Sequence, residues 1–403
     1  MSLRVGICGC GAFARSFIPL FNAHPLVGEV VLADLIRERA DEQAAKHGIQ
    51  RVLGSLDELC ESNVDAIVLL TQRQLHGPQV VQALRAGKHV YSAVPTGQTL
   101  DQIEAIIKAV EETRLIYQIG ETSYYYPCTL YCRDRYRKGD FGDVFYGEAH
   151  YFHDMSHFYQ SFQRSGGADW KQVAGIPPMH YPTHSVSMMV SVTGARVASV
   201  SCLGWRDRTD DGVFKPEANL WRNVFSNESA LMEADDGSTF QINEFRRVGW
   251  RGKSSVQMSL YGTEGCYEEN ADSQLWCTIE PNEMERLDEL LACRKLPISE
   301  AQADVNSVVL QEFHCGASRV HPVERLPREF VGLGNGHLGS HQFLADDFVR
   351  AAVTNHLPPN HAWAAARYCA PGLVAHQSSE QGGARLEVPD FGNPPEDWPL
   401  LAP

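Results

Sequence analysis

Short β-rich runs and amphipathic helical stretches alternate along the first 120 residues. The β-rich runs cover residues 3–8, 30–33, 65–70, 89–92 and 115–119. Strands separated by single helices pair in parallel, because each helix carries the chain back across the sheet. The pattern therefore predicts an α/β fold with a doubly wound parallel sheet. Such a sheet binds ligands at the carboxyl ends of its strands.

A glycine-rich turn follows the first β-rich run and opens a helical stretch. Gly9, Gly11 and Ala14 occupy the positions of the Gly-x-Gly-x-x-Gly/Ala pattern. Glycine lets the backbone turn tightly and approach a pyrophosphate, which the N–H groups at the start of the helix hold. We therefore predict a dinucleotide site in this turn, with Ala12 and Phe13 as further contacts.

An acidic residue, Asp34, ends the second β-rich run, 25 residues after Gly9. A carboxylate at this place can accept hydrogen bonds from both hydroxyls of the adenosine ribose. It also repels a 2′-phosphate, although Arg37 and Arg39 are near enough in the sequence to accommodate one. We predict NAD as the cofactor, with NADP less favoured, and we include Arg37 among the cofactor-binding residues.

The order of predicted strands and helices changes after about residue 121, where β-rich runs follow one another with fewer helices between them. The segment Asp235-Asp236-Gly237-Ser238 lies between two of these runs and is typical of a hairpin turn. We expect a second, α+β domain with an open-faced, mostly antiparallel sheet. The predicted division is a Rossmann domain over 1–120, the α+β domain over 121–380 and an extended tail over 381–403.

The composition of the chain limits the kinds of partner that it can bind. The chain has 403 residues, with 35 Lys and Arg against 50 Asp and Glu, which gives a formal net charge of −15. This balance argues against nucleic acid and anionic membranes, because both are bound by clustered basic residues. The 11 cysteines include no Cys-x-x-Cys pair, which favours reduced thiols and a cytoplasmic location. No apolar run approaches the roughly 18 residues of a membrane span.

Five further motifs stand in order along the chain. They are Thr71 with His76, Ala93-Val94-Pro95, Gly120-Glu121, Lys138-Gly139-Asp140-Phe141-Gly142 and Tyr261-Gly262-Thr263-Glu264-Gly265. Together with the glycine turn they resemble the Gfo/Idh/MocA family of oxidoreductases over nearly the whole length. The resemblance implies a Rossmann domain and an open-faced sheet domain that binds substrate and forms a homodimer or homotetramer. It also implies a sugar or polyol substrate, and cofactor contacts from Thr71, His76, Val94, Pro95 and Glu121.

Two departures from the family pattern bear on the reaction. Many members carry a lysine at the position of Val94, where it contacts the nicotinamide ribose and the substrate hydroxyl. The family's Asp and His pair is replaced by His180 and His184. The segment Tyr181-Pro182-Thr183-His184 resembles a motif of the NAD-dependent glycoside hydrolases typified by the α-N-acetylgalactosaminidases, which also carry valine before the proline.

Oxidation of a secondary alcohol needs a base near its hydroxyl, and histidine has a suitable pKa. His184 is the predicted base, and Tyr181 lies three residues before it, so on a helix the two would share a face. If C3 of a sugar is oxidised, the hydrogen on C2 becomes acidic. A second base can remove it and expel the substituent on C1. We predict His184, Tyr181 and His180 as catalytic residues.

The 16 histidines are numerous for a chain of this length. The spacings His153 to His157 and His337 to His341 would suit a metal on one helical face, but we predict hydrogen bonds to sugar hydroxyls and no metal. The predicted substrate-binding residues are Tyr124, His153, Asp154 and His337.

Three functions remain open at this point. A sugar dehydrogenase is the common activity in the family, and a redox-neutral glycosidase or lyase is favoured by Val94 and by the Tyr181 to His184 motif. A sugar or dinucleotide sensor without catalytic activity is the third, because loss of the family's lysine is compatible with it.

Overall fold

A computed structural model describes residues 2–250, 252, 254–293 and 316–402. Their contacts form two compact units. The first unit takes the described residues of Met1–Pro127, Leu291–Ala366 and Phe391–Pro403, and the second takes those of Cys128–Leu290 and Arg367–Asp390. This grouping places residues 316–366 with the glycine-rich N-terminal part. The division by pattern at residues 120 and 380 stays a prediction.

The first unit contains a parallel sheet of six described strands in the order β3-β2-β1-β4-β5-β6. This is the strand order of a dinucleotide-binding Rossmann fold, whose order reverses between β1 and β4. The predicted doubly wound parallel sheet is confirmed. The strands are β1 Leu3–Cys8, β2 Val27–Ala33, β3 Arg51–Leu53, β4 Ala66–Leu69, β5 His89–Ser92 and β6 Tyr117–Ile119. The alternation of runs did not predict β3.

Helices connect these strands. The helix Leu56–Glu61, which the alternation also did not predict, begins where the Ser55 side chain accepts a hydrogen bond from the Glu58 N–H at 3.2 Å. The other α-helices of the first unit are Ile18–Ala23, Arg37–His47, His76–Arg85, Leu100–Thr113, Gly336–Gly339 and His341–Thr354.

The helix after the glycine turn differs from the expected continuous one. The chain forms a 3-10 turn at Phe13–Ser16 and becomes α-helical only over Ile18–Ala23. Pro19 has no N–H to donate to the carbonyl four residues earlier, so a regular α-helix cannot run through this point from the glycine turn.

The second unit is built on a sheet of nine described strands in the order β14-β13-β12-β11-β7-β10-β9-β8-β15. All neighbours are antiparallel except β7 and β10, which are parallel. The expected mostly antiparallel sheet is confirmed. Its strands are β7 Val144–Phe152, β8 Val197–Arg206, β9 Phe225–Ala234, β10 Thr239–Phe245, β11 Val256–Gly262, β12 Gly265–Glu269, β13 Gln274–Thr278, β14 Glu283–Arg286 and β15 Leu386–Glu387.

The hairpin turn predicted between β9 and β10 is present. Gly237 has a φ of +88°, a left-handed conformation that glycine adopts without strain, and its N–H donates to the Ala234 carbonyl at 3.0 Å. β15, near the end of the chain, pairs with the outer strand β8. In the tail, the described residues after Glu380 contain no helix.

One helix, Thr183–Thr193, packs on one face of the second sheet against β7, β10 and β11. Most of its side chains are buried. It approaches β7 closely at Gly147, because a Cβ there would lie 2.5 Å from the Met189 sulfur. Other α-helices with residues in this unit are Pro127–Arg137, Tyr159–Gly166, Lys171–Ala174, Asp288–Leu291 and Ala362–Glu380.

The expectation that Tyr181 and His184 share one helix is wrong. A short 3-10 helix ends at His180, and Tyr181 has φ −133° and ψ 53°, outside helical values. Pro182 lacks the N–H that a continuous helix would use, so the α-helix begins at Thr183.

None of the helices that the structure describes combines the length and apolar character required to cross a membrane.

Candidate active site

The glycine turn after β1 leaves room for a ligand. Gly9 has a φ of +93°, and a Cβ there would lie 2.6 Å from the Leu70 carbonyl oxygen, so only glycine fits without displacing the backbone after β4. A Cβ at Gly11 would meet no atom of the described chain within 4 Å. Ala12 is exposed and Ala14 is buried beneath the turn. The open space over Gly11 suits the close approach of a pyrophosphate.

Asp34 is held at the end of β2 by the glycine turn. Its Oδ2 accepts a hydrogen bond from the Cys10 N–H at 2.7 Å, and its Oδ1 accepts one from the Ile36 N–H at 2.8 Å. A carboxylate has about four lone-pair positions, so both oxygens can still accept from ribose hydroxyls. The residues at this turn therefore fit the adenosine end of NAD.

Arg37 has a partner on its own helix. Its Nε donates to Asp41 Oδ1 at 2.8 Å, and both side chains are more than half exposed. An exposed pair of this kind contributes little, about 0.3–0.5 kcal/mol, so it leaves the guanidinium able to move. The predicted contact of Arg37 with the cofactor stays a prediction.

Replacing Asp34 with alanine is expected to weaken NAD binding by about tenfold or more, because two charge-assisted hydrogen bonds are lost. NADP binding should improve relative to NAD, since the carboxylate no longer repels a 2′-phosphate. Calorimetric titration with both dinucleotides measures this. Asp34→Asn, which keeps one acceptor for the Cys10 N–H, separates loss of charge from loss of turn geometry, and Asp41→Ala is the matched surface control. If the preference for NAD over NADP did not change, Arg37 and Arg39 would determine it rather than Asp34.

His76 joins the turns that follow β4 and β5. Its Nδ1 is 2.9 Å from the Pro95 carbonyl oxygen and its Nε2 is 3.2 Å from that of Thr71. Burial lowers the pKa of His76, so the imidazole is neutral and donates only one of these bonds. Val94 is buried, and the Val94–Pro95 peptide is cis. The structure thus brings Thr71, His76, Val94 and Pro95 together at the edge where the strands end.

Glu121 is fully buried directly after β6. Its Oε1 accepts from the Ser123 N–H at 2.8 Å, which caps the 3-10 helix Thr122–Tyr125. The Asn360 side chain donates to the Glu121 carbonyl at 3.2 Å. Tyr124 is half-buried, with its ring edge-on to Tyr125 at 4.9 Å.

His337, predicted to bind substrate, lies in the first unit beside the glycine turn. Its ring is edge-on to Phe13 at 5.8 Å, and its Nδ1 is 2.7 Å from His341 Nε2. His337 and Leu338 both have positive φ, 46° and 51°, which indicates a strained turn. The structure therefore groups His337 with a predicted cofactor residue.

In the second unit, Tyr181 and His184 meet in one aromatic cluster. Their ring centroids are 5.4 Å apart, and a third ring, Tyr151 on β7, lies 5.3 Å from His184 and 6.4 Å from Tyr181. Residues 181 and 184 approach through the turn at Pro182 rather than along a helix. The cluster puts two phenols and one imidazole within reach of a common ligand.

His153, directly after β7, extends this cluster. Its Nδ1 is 2.8 Å from the Tyr151 hydroxyl. Burial, together with the charges of Arg246, His157 and His184, lowers the pKa of His153 to about 3. The imidazole is therefore neutral, and with its proton on Nε2 it accepts from Tyr151. Asp154, by contrast, caps the 3-10 helix Met155–Phe158 by accepting from the Ser156 N–H at 2.9 Å.

A buried ion pair lies beneath the cluster. Arg246 Nη2 is 2.6 Å from Glu244 Oε2, and both side chains are almost completely buried. The guanidinium carbon lies 4.5 Å from the centre of the Tyr151 ring, a cation–π contact. The Ser185 hydroxyl, on the helix that carries His184, donates to Glu244. Burial raises the pKa of Glu244 to about 7, although Arg246, Ser185 and His184 oppose the shift.

His180 faces a different group. Its ring is edge-on to His376 at 4.9 Å, and its Nδ1 is buried without a hydrogen-bond partner among the described residues. Burial lowers the pKa of His180 well below its usual value, and His376 adds to the effect. His376 is itself paired with the buried Glu228 at 2.8 Å. His180 is thus a weak base, packed against residues other than Tyr181 and His184.

Sequence reasoning missed Tyr151, Glu244 and Arg246. Tyr151 lies two residues before His153, which a strand places on the same face, so this signal was available. Glu244 and Arg246 are likewise two residues apart in a β-rich run. Their approach to Tyr151 depends on the parallel pairing of β7 with β10, in which Glu244 is opposite Tyr151, and no local pattern indicates that pairing.

No group of three or more His, Cys, Asp or Glu side chains within residues 2–250, 252, 254–293 and 316–402 could hold a metal ion.

The fold of the first unit, with its glycine turn and the carboxylate at the end of β2, defines an NAD-binding Rossmann domain. Residues 3–121 match the family model described as the oxidoreductase family with an NAD-binding Rossmann fold. These residues are a Gfo/Idh/MocA oxidoreductase domain, as their motifs indicated, and its cofactor is NAD.

Relatives extend the similarity to nearly the whole chain. A glycosyl hydrolase family 109 protein of Bacteroides fragilis is 24% identical over 417 residues, which cover 96% of this chain and 85% of the relative. A protein of the same family from Porphyromonas gingivalis is 23% identical and covers 97% and 84%.

Solved structures agree on the fold. A levoglucosan dehydrogenase in complex with NADH and levoglucosan superposes with a TM-score of 0.72 at 16% identity, and covers 96% of this chain and 100% of its own. A myo-inositol 2-dehydrogenase from Lactobacillus plantarum gives a TM-score of 0.65 at 16% identity with the same coverage. At these identities the similarity establishes the fold alone.

Proposed function

We propose that the protein hydrolyses a glycosidic bond by a redox-neutral reaction in which NAD is regenerated within each turnover. The observation that carries the proposal is the contact of Tyr181 with His184, 5.4 Å between ring centroids, beside Tyr151. A redox-neutral course needs two groups that move protons at neighbouring carbons, and this cluster supplies them. The similarity to family 109 glycosyl hydrolases over 96% of the chain supports the same function.

His184 takes the proton of the sugar hydroxyl whose carbon is oxidised. Tyr181, in its deprotonated form, takes the hydrogen on the adjoining carbon as a proton while the bond to the anomeric substituent breaks, and that substituent leaves as an alcohol with a proton from solvent. Water then adds at the anomeric carbon and gives one proton to solvent, and the two residues return their protons in the reverse order. A positioned acid or base of this kind contributes about 10²–10⁴-fold to a rate.

The glycine turn around Gly9 and Gly11 would hold the cofactor, with Asp34 at the adenosine ribose and with further contacts from Thr71, Val94, Pro95 and Glu121. When bound, NAD would take up and return the two electrons and the hydrogen of the sugar carbon. Within the chain, Val94 presents an apolar side chain and can donate no proton. Proton transfer is therefore assigned to the cluster around His184. His76 links the turns after β4 and β5 through its contacts with the Thr71 and Pro95 carbonyl oxygens.

Within that cluster, Tyr151 and His153 bind sugar hydroxyls or position the neighbouring rings. We do not include His180 among the catalytic groups, because its ring packs on His376 and its basicity is low. Asp154 caps the following turn through Oδ1, and its Oδ2 is proposed to bind a ligand.

A panel of substrates tests the proposal. The purified protein, supplied with NAD, is expected to cleave a nitrophenyl glycoside while absorbance at 340 nm does not accumulate. The control is the same incubation with free sugars in place of glycosides. Steady growth of absorbance at 340 nm with a free sugar would instead identify a plain sugar dehydrogenase.

The dehydrogenase is the second candidate, because hydroxyl deprotonation by His184 is common to both reactions. A protein that binds NAD but turns over neither class of compound would be a sensor, and both enzyme proposals would then fail. Association into a homodimer or homotetramer stays a prediction from the family resemblance.

A further inference from the structure

Three sulfur-bearing side chains lie in one row across neighbouring strands of the second unit. Cys266 on β12 is directly opposite Cys277 on β13, which is directly opposite Met284 on β14. Residues directly opposite each other in an antiparallel pair project from the same face of the sheet. Both cysteines are half-buried free thiols, and Met284 is exposed, so the row is open to solvent.

The hydrogen-bond pattern of the β12–β13 hairpin sets the spacing of the two thiols. The Asn270 N–H donates to the Ser273 carbonyl at 3.0 Å, so these two residues form a hydrogen-bonded pair. Hydrogen-bonded and non-hydrogen-bonded pairs alternate along antiparallel strands. Cys266 and Cys277 lie two alternations further along the hairpin, so they also form a hydrogen-bonded pair. Their Cα atoms are therefore about 5.5 Å apart, and their Cβ atoms lie at the wide end of the usual range of about 4.5–5.5 Å.

This spacing suits a bridging ion better than a direct bond. A disulfide requires Cβ atoms about 3.5–4.5 Å apart. Two sulfurs that each lie about 2.3 Å from a shared ion can be separated by up to roughly 4.6 Å. The opposed thiols can therefore reach one ion without displacing the strands.

Met284 is placed as a third ligand. The Leu287 N–H donates to the Gln274 carbonyl at 2.8 Å, so by the same alternation Cys277 and Met284 form a non-hydrogen-bonded pair, whose side chains are closer together. Two thiols and one thioether make a soft donor set, which selects monovalent copper over the harder divalent ions.

We propose that Cys266, Cys277 and Met284 form a binding site for one monovalent soft metal ion, with Cu(I) as its biological representative. Binding forms two copper–thiolate bonds and breaks two S–H bonds: Cu⁺ and two thiols give a bis-thiolate complex of charge −1 and two released protons, with no change of oxidation state.

Competition with the Cu(I) chelator bathocuproine disulfonate, under anaerobic conditions, tests the site on the full chain. We expect one high-affinity ion per chain. Cys266→Ser and Cys277→Ser should each abolish that binding, and Met284→Leu should weaken it by about tenfold without abolishing it. Cys60→Ser, which removes a half-buried thiol of the first unit, is the matched control and should leave binding unchanged.

A second measurement needs no variants. Stoichiometric Cu(I) should protect Cys266 and Cys277 together from alkylation by iodoacetamide, while Cys60 stays reactive, as read by peptide mass mapping. Copper binding that survives both serine substitutions would overturn the proposal. So would formation of a Cys266–Cys277 disulfide with diamide in a protein that fails to compete for Cu(I).

Discussion

Replacing His184 with alanine is expected to lower turnover by about two to four orders of magnitude, because the reaction loses its base at the sugar hydroxyl. NAD affinity should stay unchanged, since His184 belongs to the second unit and the glycine turn to the first. Initial rates on the glycoside or sugar that the wild-type protein accepts, together with calorimetric titration of NAD, measure the two effects.

The matched control is His150→Ala. His150 lies on the same strand as Tyr151, but its side chain projects from the opposite face, where its ring stacks on Phe152 at 5.0 Å. This variant should keep turnover within about threefold of wild type. A fall of less than threefold for His184→Ala would remove His184 from the mechanism, and a sensor protein would show NAD binding without any turnover to lose.

Replacing Arg246 with methionine is expected to lower the free energy of unfolding by about 3–5 kcal/mol, because it leaves the buried Glu244 carboxylate without its cation. The thermal midpoint of the second unit should fall by roughly 10 °C. Turnover should fall as well, since Arg246 packs against the Tyr151 ring. Differential scanning calorimetry and initial rates measure the two effects.

The stability that the Arg246→Met variant loses relative to wild type should increase as pH rises. The folded-state pKa of Glu244, about 7, lies above its ordinary value of 4.5. For an acid with a raised pKa, the contribution to stability is complete below pH 4.5 and is lost as pH rises to about 7. Arg246 lowers the pKa of Glu244, so this pKa should be higher in the Arg246→Met variant than in wild type. The stability of the variant should therefore keep falling as pH rises above 7. The deficit relative to wild type should therefore be larger at pH 8.5 than at pH 6.

Two controls test whether the loss of stability comes from breaking the buried ion pair or from removing any arginine. Arg385→Met removes a mostly exposed arginine that pairs with Glu233, and it should cost less than about 1 kcal/mol. The double variant Glu244→Met with Arg246→Met buries no charge and should recover much of the lost stability. If Arg246→Met cost no more than Arg385→Met, Glu244 would not depend on its partner.

Local patterns were enough to predict the cofactor half of the protein. The Gly9 turn and Asp34 lie at strand ends, and the parallel sheet brings such ends to one edge, so position along the sequence carries over into space. Tyr181 and His184 lie close together in the structure, as their spacing in the sequence suggested, and their catalytic role stays a prediction. The expected continuous helices failed at Pro19 and Pro182, where a missing N–H breaks the hydrogen-bond pattern.

By itself, the sequence determined the parallel, doubly wound character of the first sheet, the glycine turn and the carboxylate at its edge, because each depends on residues near one another in the chain. Only the tertiary structure decided which side chains surround His184. Tyr151 meets Glu244 and Arg246 through the parallel pairing of β7 with β10. His180 packs on His376, and His337 on Phe13, across separations of 196 and 324 residues. Such contacts follow from packing of distant elements, where burial then sets the charge state of Glu244 and His153.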